Sequence, residues 1–235
     1  MKHLHFLDLG PIPIFEQLRI EEALLRASDF NVCLVSRGTP RAIVMGISGA
    51  PETMLDLPKV KRDKIPVIKR FSGGGTVIVD EETLFVTFIC AKNFLDIHPF
   101  PEPILRWGQT IFAQSWKIPD FRLIENDYTI GELKCGGNAQ YITKDRWLHH
   151  TSFLWDYRDE NMAYLLLPEK RPRYRENRPH CDFLCRLKDF ATSKEELIAK
   201  LRKELQKQFK LENLSPKEIK TGPHRQAAQW VELGF

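Results

Sequence analysis

The segment at residues 69–76 contains the groups best suited to binding an anion. Its sequence is Lys-Arg-Phe-Ser-Gly-Gly-Gly-Thr, and its three consecutive glycines separate two apolar runs. Successive glycine N–H groups can form an anion-binding nest, to which Arg70 adds a bidentate donor. The glycines precede a predicted strand and no Gly-Lys-Ser/Thr follows, which excludes a Walker P-loop and a dinucleotide fingerprint. A flexible hairpin loop with a solvated basic pair is the alternative.

A second segment, residues 125–140, combines a turn with a lysine and further glycines. The turn pair Asn126-Asp127 is followed by Lys134 and, directly after Cys135, by two glycines that we interpret as another turn. In a pocket, Lys134 would neutralise a carboxylate or a phosphate, whereas on the surface it would be an ordinary solvated cation. Cys135 should point to the opposite face of the strand, so we do not expect the two side chains to act together.

Two adjacent histidines, His149 and His150, lie in a strand-like run at residues 147–155. Neighbouring residues on a strand face opposite sides, so a metal shared by this pair is not expected. Tetrahedral metal sites also need three or four converging ligands.

Residues 170–178 concentrate positive charge, and their alternatives are a solvated loop, a docking surface for an acidic partner and a cap over phosphate. Charges at the rim of an interface mainly change association rates, so we expect an exposed loop that docks an acidic partner. The two cysteines that follow are expected on a short helix that faces the core. The residues concerned are Lys170, Arg171, Arg173, Arg175 and Arg178, then Cys181 and Cys185.

Apolar spacing predicts helices at residues 14–27, 103–116 and 193 to about 211, the last opened by a capping box at Ser193 and Glu196. The polar interval 47–64, with two prolines, predicts a long surface loop. Because the strands cluster without strict β-α-β alternation, the pattern predicts an α+β fold with a mixed, largely antiparallel sheet packed with helices. The predicted strands are residues 31–36, 42–46, 66–70, 76–80, 84–90, 122–124, 128–130, 132–135 and 147–155.

The composition is that of a globular protein. The 235 residues are 43% hydrophobic and 28% charged, enough to bury a core without disulfides. Five scattered cysteines predict a reducing compartment, and no apolar run reaches the about 18 residues of a membrane span. The N-terminus lacks the apolar region of a signal peptide. A net charge of +4 is too small to indicate nucleic acid. We therefore expect a cytoplasmic protein that binds neither membrane nor nucleic acid.

Taken in order, these segments resemble the lipoate–protein ligase A family, within the superfamily of biotin/lipoate ligases and octanoyltransferases. The resemblance covers about residues 10–210 and implies a catalytic domain at residues 1–212, with residues 213–235 as a packed or flexible C-terminal tail. It rests on the order Arg70-x-Ser-Gly-Gly-Gly, Asn126-Asp127, Lys134, Gly-Asn-Ala-Gln at 137–140 and His-His-Thr-Ser-Phe-Leu at 149–154.

The resemblance implies three catalytic residues. Arg70, with its glycine loop, would wrap an acyl-adenylate, Lys134 would hold its carboxylate and phosphate oxygens, and Asp127 would lie on the Mg²⁺ side, as a metal ligand. The other residues implied in substrate or ATP binding are Ser72, Gly73, Gly74, Gly75, Thr76, Val77, Asn126, Gly137, Asn138, Ala139, His149, His150, Thr151 and Ser152.

The reaction implied by the resemblance has two steps. ATP with Mg²⁺ activates lipoic acid, or octanoate, to acyl-AMP, and the ε-amine of an acceptor lysine then attacks the mixed anhydride. The acceptor would be a lipoyl domain of a 2-oxo-acid dehydrogenase complex or the glycine-cleavage H protein. We expect a monomer that lacks the C-terminal accessory domain of many family ligases, which a separate protein could supply. Val79 stands where family ligases often carry a histidine, which would make the acyl pocket more apolar.

Other functions stay open at this point. An octanoyl or lipoyl transferase would act through a cysteine thioester and would need an activated thiolate near the lysine, for which Cys135 is the nearby candidate. A non-catalytic homologue would bind lipoate without activating it. Biotin ligation is a further possibility within the same superfamily.

Overall fold

Two β-sheets form the framework of the computed structural model, which describes residues 1–167, 171–219 and 223–234. The strands are β1 (His3–Asp8), β2 (Val32–Arg37), β3 (Ala42–Met45), β4 (Val67–Lys69), β5 (Val77–Val79), β6 (Thr83–Ala91), β7 (Phe121–Ile124), β8 (Asp127–Ile130), β9 (Leu133–Ile142), β10 (Arg146–Leu154), β11 (Lys210–Asn213) and β12 (Gln229–Trp230). The helices are α1 (Ile14–Ala27), α2 (Pro51–Met54), α3 (Leu57–Arg62), α4 (Pro101–Trp116), α5 (Asp159–Met162), α6 (His180–Phe183) and α7 (Lys194–Gln208).

The larger sheet has eight strands in the order β11-β1-β2-β6-β10-β9-β8-β7, and the smaller sheet has four in the order β12-β4-β3-β5. In the larger sheet β1 is parallel to β2 and β11, and the remaining neighbours are antiparallel. The α+β class with a mixed, largely antiparallel sheet is therefore confirmed. Among the described residues, no helix combines the length and apolarity needed to cross a membrane.

Apolar side chains cover both faces of the larger sheet. On one face, helices α4 and α7 pack against the strands and bury Phe112 and Phe153. On the other face, Leu18 of α1 packs with Phe85 of β6 and Val44 of the smaller sheet. Since side chains alternate along a strand, successive residues of β10 enter different layers. This alternation decides which of them can reach a site.

The third predicted helix begins as expected and ends earlier. Ser193 is the N-cap of α7, and its hydroxyl accepts a hydrogen bond from the Glu196 N–H. In the predicted capping box the Glu196 carboxylate would accept a hydrogen bond from the Ser193 N–H. It accepts instead from the N–H of the preceding residue, Thr192. The predicted extension to residue 211 is wrong, because β11 starts at Lys210 and pairs with β1.

Residues 47–64 were predicted as one long surface loop, and the structure corrects this. They contain α2 and α3, each with a proline in its first turn, where a missing N–H costs no helical hydrogen bond. The Asp56 side chain caps α3 by accepting from the Lys59 N–H. Leu55 and Val60 are buried beneath the smaller sheet. The prolines therefore start helices here.

The glycine pair after Cys135 was predicted as a turn and instead lies within the long strand β9. Gly136 is opposite Phe153 of β10, and Gly137 is opposite Ser152. A Cβ atom at Gly136 would lie 2.8 Å from the Phe153 ring, so the strand lacks a side chain there to admit the ring. The glycines thus serve close packing.

The segment after β11 packs on the smaller sheet where the structure describes it. Strand β12 pairs antiparallel with β4, and the Trp230 ring lies 4.6 Å from the Phe15 ring, centre to centre. The buried Glu22 carboxylate of α1 accepts hydrogen bonds from the N–H groups of Ala227 and Ala228. Phe235, the last residue of the predicted C-terminal tail, lies outside the described residues.

Gly108 of α4 allows the helix to approach the sheet closely. A Cβ atom there would lie 2.4 Å from the Tyr128 hydroxyl oxygen and 3.1 Å from Nε2 of His149. Both of these groups are buried, so neither can move into solvent.

We therefore expect Gly108→Ala to lower the free energy of unfolding by about 1–3 kcal/mol, as overpacking does. The sign is opposite to the gain of about 1 kcal/mol that Ala gives over Gly in an open helix. Urea unfolding measures the difference, with the exposed Thr110→Ala as control, expected to change stability by less than about 0.5 kcal/mol. A stabilised Gly108→Ala protein would contradict the close approach.

Candidate active site

A cavity of about 650 Å³ opens between the two sheets. Its apolar end is lined by side chains from α1, β3, β5 and β6. Its polar end is lined by charged and polar side chains from the glycine loop, β8, β9 and the segment that precedes and includes α6. The apolar end comprises Leu18, Val44, Val77, Val79 and Phe85, and the polar end comprises Arg70, Asp127, Lys134, Arg175 and His180.

The structure brings most of the sequence-predicted site residues together on this cavity. His150 and Ser152 of β10 line it, whereas His149 and Thr151 face the α4 layer because side chains alternate along the strand. Ser72 and Gly73 also lie outside the cavity lining. The predicted residues that line the cavity are Arg70, Gly74, Gly75, Thr76, Val77, Asn126, Asp127, Lys134, Gly137, Asn138, Ala139, His150 and Ser152.

Arg70 holds the glycine loop in shape from within. Its Nη2 donates to the carbonyl oxygens of Gly73 and Gly75, both at 2.9 Å. Gly74 has φ +110°, and a Cβ atom there would lie 2.6 Å from Nη2 of Arg70, so only glycine fits. Burial lowers the pKa of Arg70 to about 10. Arg70 thus stays charged at neutral pH in a loop that exposes glycine backbone to the cavity.

Lys134 and Asp127 form an ion pair across neighbouring strands. Nζ of Lys134 lies 2.8 Å from Oδ1 of Asp127, and the Tyr174 hydroxyl donates to Oδ2 at 3.0 Å. Burial and then the Asp127 charge raise the pKa of Tyr174, so this hydroxyl is a neutral donor. Both oxygens of Asp127 are therefore engaged.

The metal role predicted for Asp127 depends on which other ligands surround its carboxylate. Among the described residues, no three His, Cys, Asp or Glu side chains converge as a metal site. Mg²⁺ is commonly held by one or two carboxylates together with substrate phosphates. Asp127 alone could serve in that way, provided that Lys134 or Tyr174 releases one of its oxygens.

The expectation of an exposed basic docking loop is wrong for Arg175. Arg173–Arg175 form a 3-10 turn, in which Arg173 is exposed while Arg175 is 5% exposed and lines the cavity. The Glu125 carboxylate accepts from the N–H groups of Arg173 and Tyr174, which fixes the turn over the neighbouring Asp127. We call residues 171–184 the capping segment. Lys170, the first residue of the predicted loop, lies outside the described residues.

A buried polar network, which the sequence analysis missed, lies behind His150. The Glu21 carboxylate is fully buried and accepts from Nε2 of Gln17 and the Thr87 hydroxyl, each at 2.8 Å. Its Oε1 also lies 2.9 Å from Nδ1 of His150. An acidic residue within the apolar stripe of a predicted helix was the available signal. For Tyr174, Arg175 and His180 the signal was the basic run, for which a cap over phosphate was one of the alternatives.

His149 is a core residue on the opposite face of β10. Its Nε2 lies 2.8 Å from the Tyr128 hydroxyl, which donates to the Leu105 carbonyl oxygen, and its Nδ1 lies 3.3 Å from Nε2 of Gln140. Burial, and then His150, lower the pKa of His149 to about 3, so the ring is neutral.

Cys135 is fully buried, in the same core layer as Phe112 and Phe153 and away from the cavity lining. Its thiol donates to the Tyr128 carbonyl oxygen, and burial raises the pKa of the thiol well above its usual value. The expected opposite orientation of Cys135 and Lys134 agrees with this placement. The prediction that Cys181 faces the core is wrong, because Cys181 is exposed on the short helix α6, and Cys185 follows that helix half-buried.

The fold and the site define a two-sheet α+β domain whose cavity is lined by apolar and cationic side chains. A family model, the lipoyl protein ligase A/B catalytic domain, matches residues 13–210. The chain belongs to this family, which confirms the resemblance to lipoate–protein ligase A.

Curated relatives are similar over part of their length. A Plasmodium falciparum protein named inactive lipoate–protein ligase 2 is 30% identical over 244 residues, covering 79% of this chain and 63% of that protein. Lipoate–protein ligase 1 of the same species is 27% identical over 135 residues, covering 55% of this chain and 30% of that protein. The chain thus spans less than two thirds of the length of these relatives.

Solved structures share the fold. The bipartite lipoate protein ligase of Thermoplasma acidophilum superposes with a TM-score of 0.75 at 22% identity, covering 93% of this chain and 89% of that chain. A lipoate–protein ligase A bound with ATP gives a TM-score of 0.74 at 20% identity, covering 93% of this chain and 91% of that chain. Their architecture agrees with the predicted lipoate/biotin ligase fold.

The neutral state of His149 predicts a pH dependence of stability. In the unfolded chain a histidine takes up a proton below about pH 6.5, whereas His149 in the fold resists protonation until about pH 3. The unfolded state binds more protons in that interval, so stability must fall as the pH falls. Between pH 6.5 and 4.5 the loss from His149 is about 2 kcal/mol.

Urea unfolding at pH 6.5 and at pH 4.5 measures how much unfolding free energy each protein loses between the two pH values. That loss should be about 2 kcal/mol smaller in His149→Gln than in the wild type, whatever the absolute stability of the variant. His98→Gln, outside the core, serves as control and should keep the wild-type difference. An unchanged pH dependence in His149→Gln would argue against the neutral buried ring.

Proposed function

We propose that this chain is an ATP-dependent lipoate–protein ligase. It would activate lipoate, or octanoate, to acyl-AMP and transfer the acyl group to a lysine of a lipoyl domain or of glycine-cleavage H protein. The observation that carries the proposal is the single cavity that joins an apolar end to a cationic end. An apolar tail and an anionic head, as in lipoate and its adenylate, match these two ends.

The apolar end suits the acyl tail. Leu18, Val44 and Phe85 belong to the same buried layer as α1 and the smaller sheet. Val79 adds an apolar side chain there, at the position where family ligases often carry histidine. Burying a hydrocarbon tail against such residues stabilises the complex by about 25 cal/mol per Å² of apolar surface.

The polar end suits the reacting groups. Arg70 and Lys134 would neutralise the carboxylate and the phosphoryl group, and the backbone of Gly74 and Gly75 would supply hydrogen-bond donors. Such fixed donors and charges stabilise developing negative charge without reorganisation. Because attack by carboxylate on ATP and by lysine on the anhydride needs no protein nucleophile, positioning accounts for the chemistry.

Magnesium would enter as part of the substrate MgATP. Asp127 is the acidic side chain among the described residues that line the cavity, and its carboxylate could bind the ion on release of Lys134. Lys134 would then be free to bind the substrate anion.

The proposal includes a cytoplasmic monomer that acts on a protein acceptor and contacts neither membrane nor nucleic acid. It rests on scattered cysteines and a net charge of +4. The described neighbour from Thermoplasma acidophilum is bipartite and is paired with an E2 lipoyl domain, which supports a lipoyl-domain acceptor and a separate accessory protein.

The two alternatives differ in which step they predict. A thioester-forming transferase is disfavoured because the Cys135 thiol is buried and its pKa is raised. A non-catalytic lipoate-binding homologue is a serious rival because a similar Plasmodium protein is named inactive. Incubation with MgATP and lipoate or octanoate, followed by mass spectrometry, tests activation directly. Lipoate binding without acyl-AMP or pyrophosphate would establish the non-catalytic alternative.

Lys134→Ala should abolish acyl-AMP formation while the protein stays folded. Loss of a charge that stabilises an oxyanion typically lowers the rate by about 10²–10³-fold. Pyrophosphate release measures the step, and circular dichroism checks the fold. Lys144→Ala, which removes an exposed lysine at the β9–β10 turn, is the matched control and should keep wild-type turnover. Equal turnover in the two variants would remove Lys134 from the site.

Cys135→Ser should retain most of the ligase activity, because transfer through an adenylate needs no thiol. Cys135→Ala avoids burying a hydroxyl group and should behave in the same way. Acyl transfer to a lipoyl domain is the measurement. Loss of transfer in both folded variants, with an acyl-thioester trapped on the wild type, would instead establish the transferase.

A further inference from the structure

Arg175 has a buried hydrogen-bond donor without a partner. Its side chain is 5% exposed, and Nη2 is buried and makes no hydrogen bond. Among the described residues four other buried side-chain atoms share this condition, on Arg37, Thr129, Arg146 and Trp147, and none of these residues lines the cavity. Arg175 therefore combines a buried donor that lacks a partner with a place in the lining of a space that can hold a ligand.

The rest of the guanidinium is fixed in place. Nε of Arg175 donates to the Arg178 carbonyl oxygen at 3.2 Å, and Cζ lies 4.7 Å from the centre of the Phe183 ring. The preceding Tyr174 is anchored to Asp127, and the backbone of the turn is anchored to Glu125. The free edge of the guanidinium is thus preorganised, which lowers the entropy that a ligand contact would cost.

The surroundings of Arg175 favour an added negative charge. Burial, and then the charges of Arg175 and Lys134, lower the pKa of His180 to about 4, which leaves this ring neutral. The Asp127 carboxylate is already shared by Lys134 and the Tyr174 hydroxyl. A buried cation with an unmet donor is costly unless an anion completes it.

We infer that Arg175 binds a phosphate group of ATP at the polar end of the cavity, an assignment that rests on the proposed ligase function and adds a residue to it. Phosphate fits the forked donors of a guanidinium. The carboxylate of the acyl substrate must stay near its apolar tail, and Arg70 is the cation next to that end, since its Nη1 donates to the Val44 carbonyl oxygen. Arg175 lies on the capping segment beside Asp127 and His180, where the phosphate chain would extend.

Isothermal titration with three separate probes tests the inference: MgATP, inorganic tripolyphosphate and lipoate. Arg175→Gln should raise the Kd for MgATP and for tripolyphosphate by about 10–100-fold, the range expected when a hydrogen bond to a charged group is lost. The Kd for lipoate should change by less than about twofold, because Arg175 is assigned to the phosphate and lies away from the carboxylate.

Arg173→Gln is the matched control, because it removes the same charge from an exposed position on the same 3-10 turn. It should leave all three Kd values within about twofold of the wild type. Equal MgATP affinity in the two variants would overturn the inference. A higher Kd for lipoate in Arg175→Gln, with an unchanged Kd for MgATP, would also overturn the inference, because Arg175 would then bind the carboxylate.

If the Arg175→Gln protein does not fold, Arg175→Lys tests the inference in its place. It keeps the charge and removes the fork, so the Kd for MgATP should rise by at least about threefold. A value within about twofold of the wild type in this folded variant overturns the inference.

Failure of the proposed function would look different. A wild type that binds tripolyphosphate through Arg175 but forms no acyl-AMP would refute the ligase and retain the phosphate site. A wild type that binds lipoate but neither MgATP nor tripolyphosphate would refute the phosphate site.

Discussion

The Asp127 carboxylate is the interaction on which the rest of the site depends. One oxygen neutralises Lys134 and the other accepts the Tyr174 hydroxyl, so a single buried group controls both the lysine and the capping segment. Without this charge, Lys134 and Arg175 would repel each other in a space of low dielectric constant. The cavity can therefore hold an excess of positive charge in the absence of ligand and still offer that charge to an anion.

In the glycine loop, backbone groups keep a buried positive charge available to a ligand. Arg70 is buried, yet its acceptors are the carbonyl oxygens of Val44, Gly73 and Gly75, which bind the guanidinium without cancelling its charge. A Cβ atom at Gly46 would lie 2.1 Å from the Gly74 carbonyl oxygen, so the glycine lets the loop pack closely against the end of β3. Charge and shape at the cavity are thus set by the same contacts.

The elements predicted with most success are those whose signal is local. Helix α1 has the predicted bounds, since its apolar stripe and the proline before it act over a few residues. The glycine pair within β9 was wrongly predicted as a turn. The reason for glycine there is the Phe153 ring on another strand, which a local pattern cannot show. Likewise, a local charge count could not show that Arg175 is buried, because Glu125 fixes its turn from 48 residues away.

The sequence by itself determined the family, the sheet-and-helix class and the two segments, around Arg70 and Lys134, that line the cavity. The physical reason is that glycine content, alternation and apolar spacing are properties of neighbouring residues. Only the tertiary structure decided that His150 faces the cavity while His149 faces α4, because this depends on which layer covers each face of β10. It also decided that the capping segment closes over Asp127, since that contact joins residues far apart in the chain.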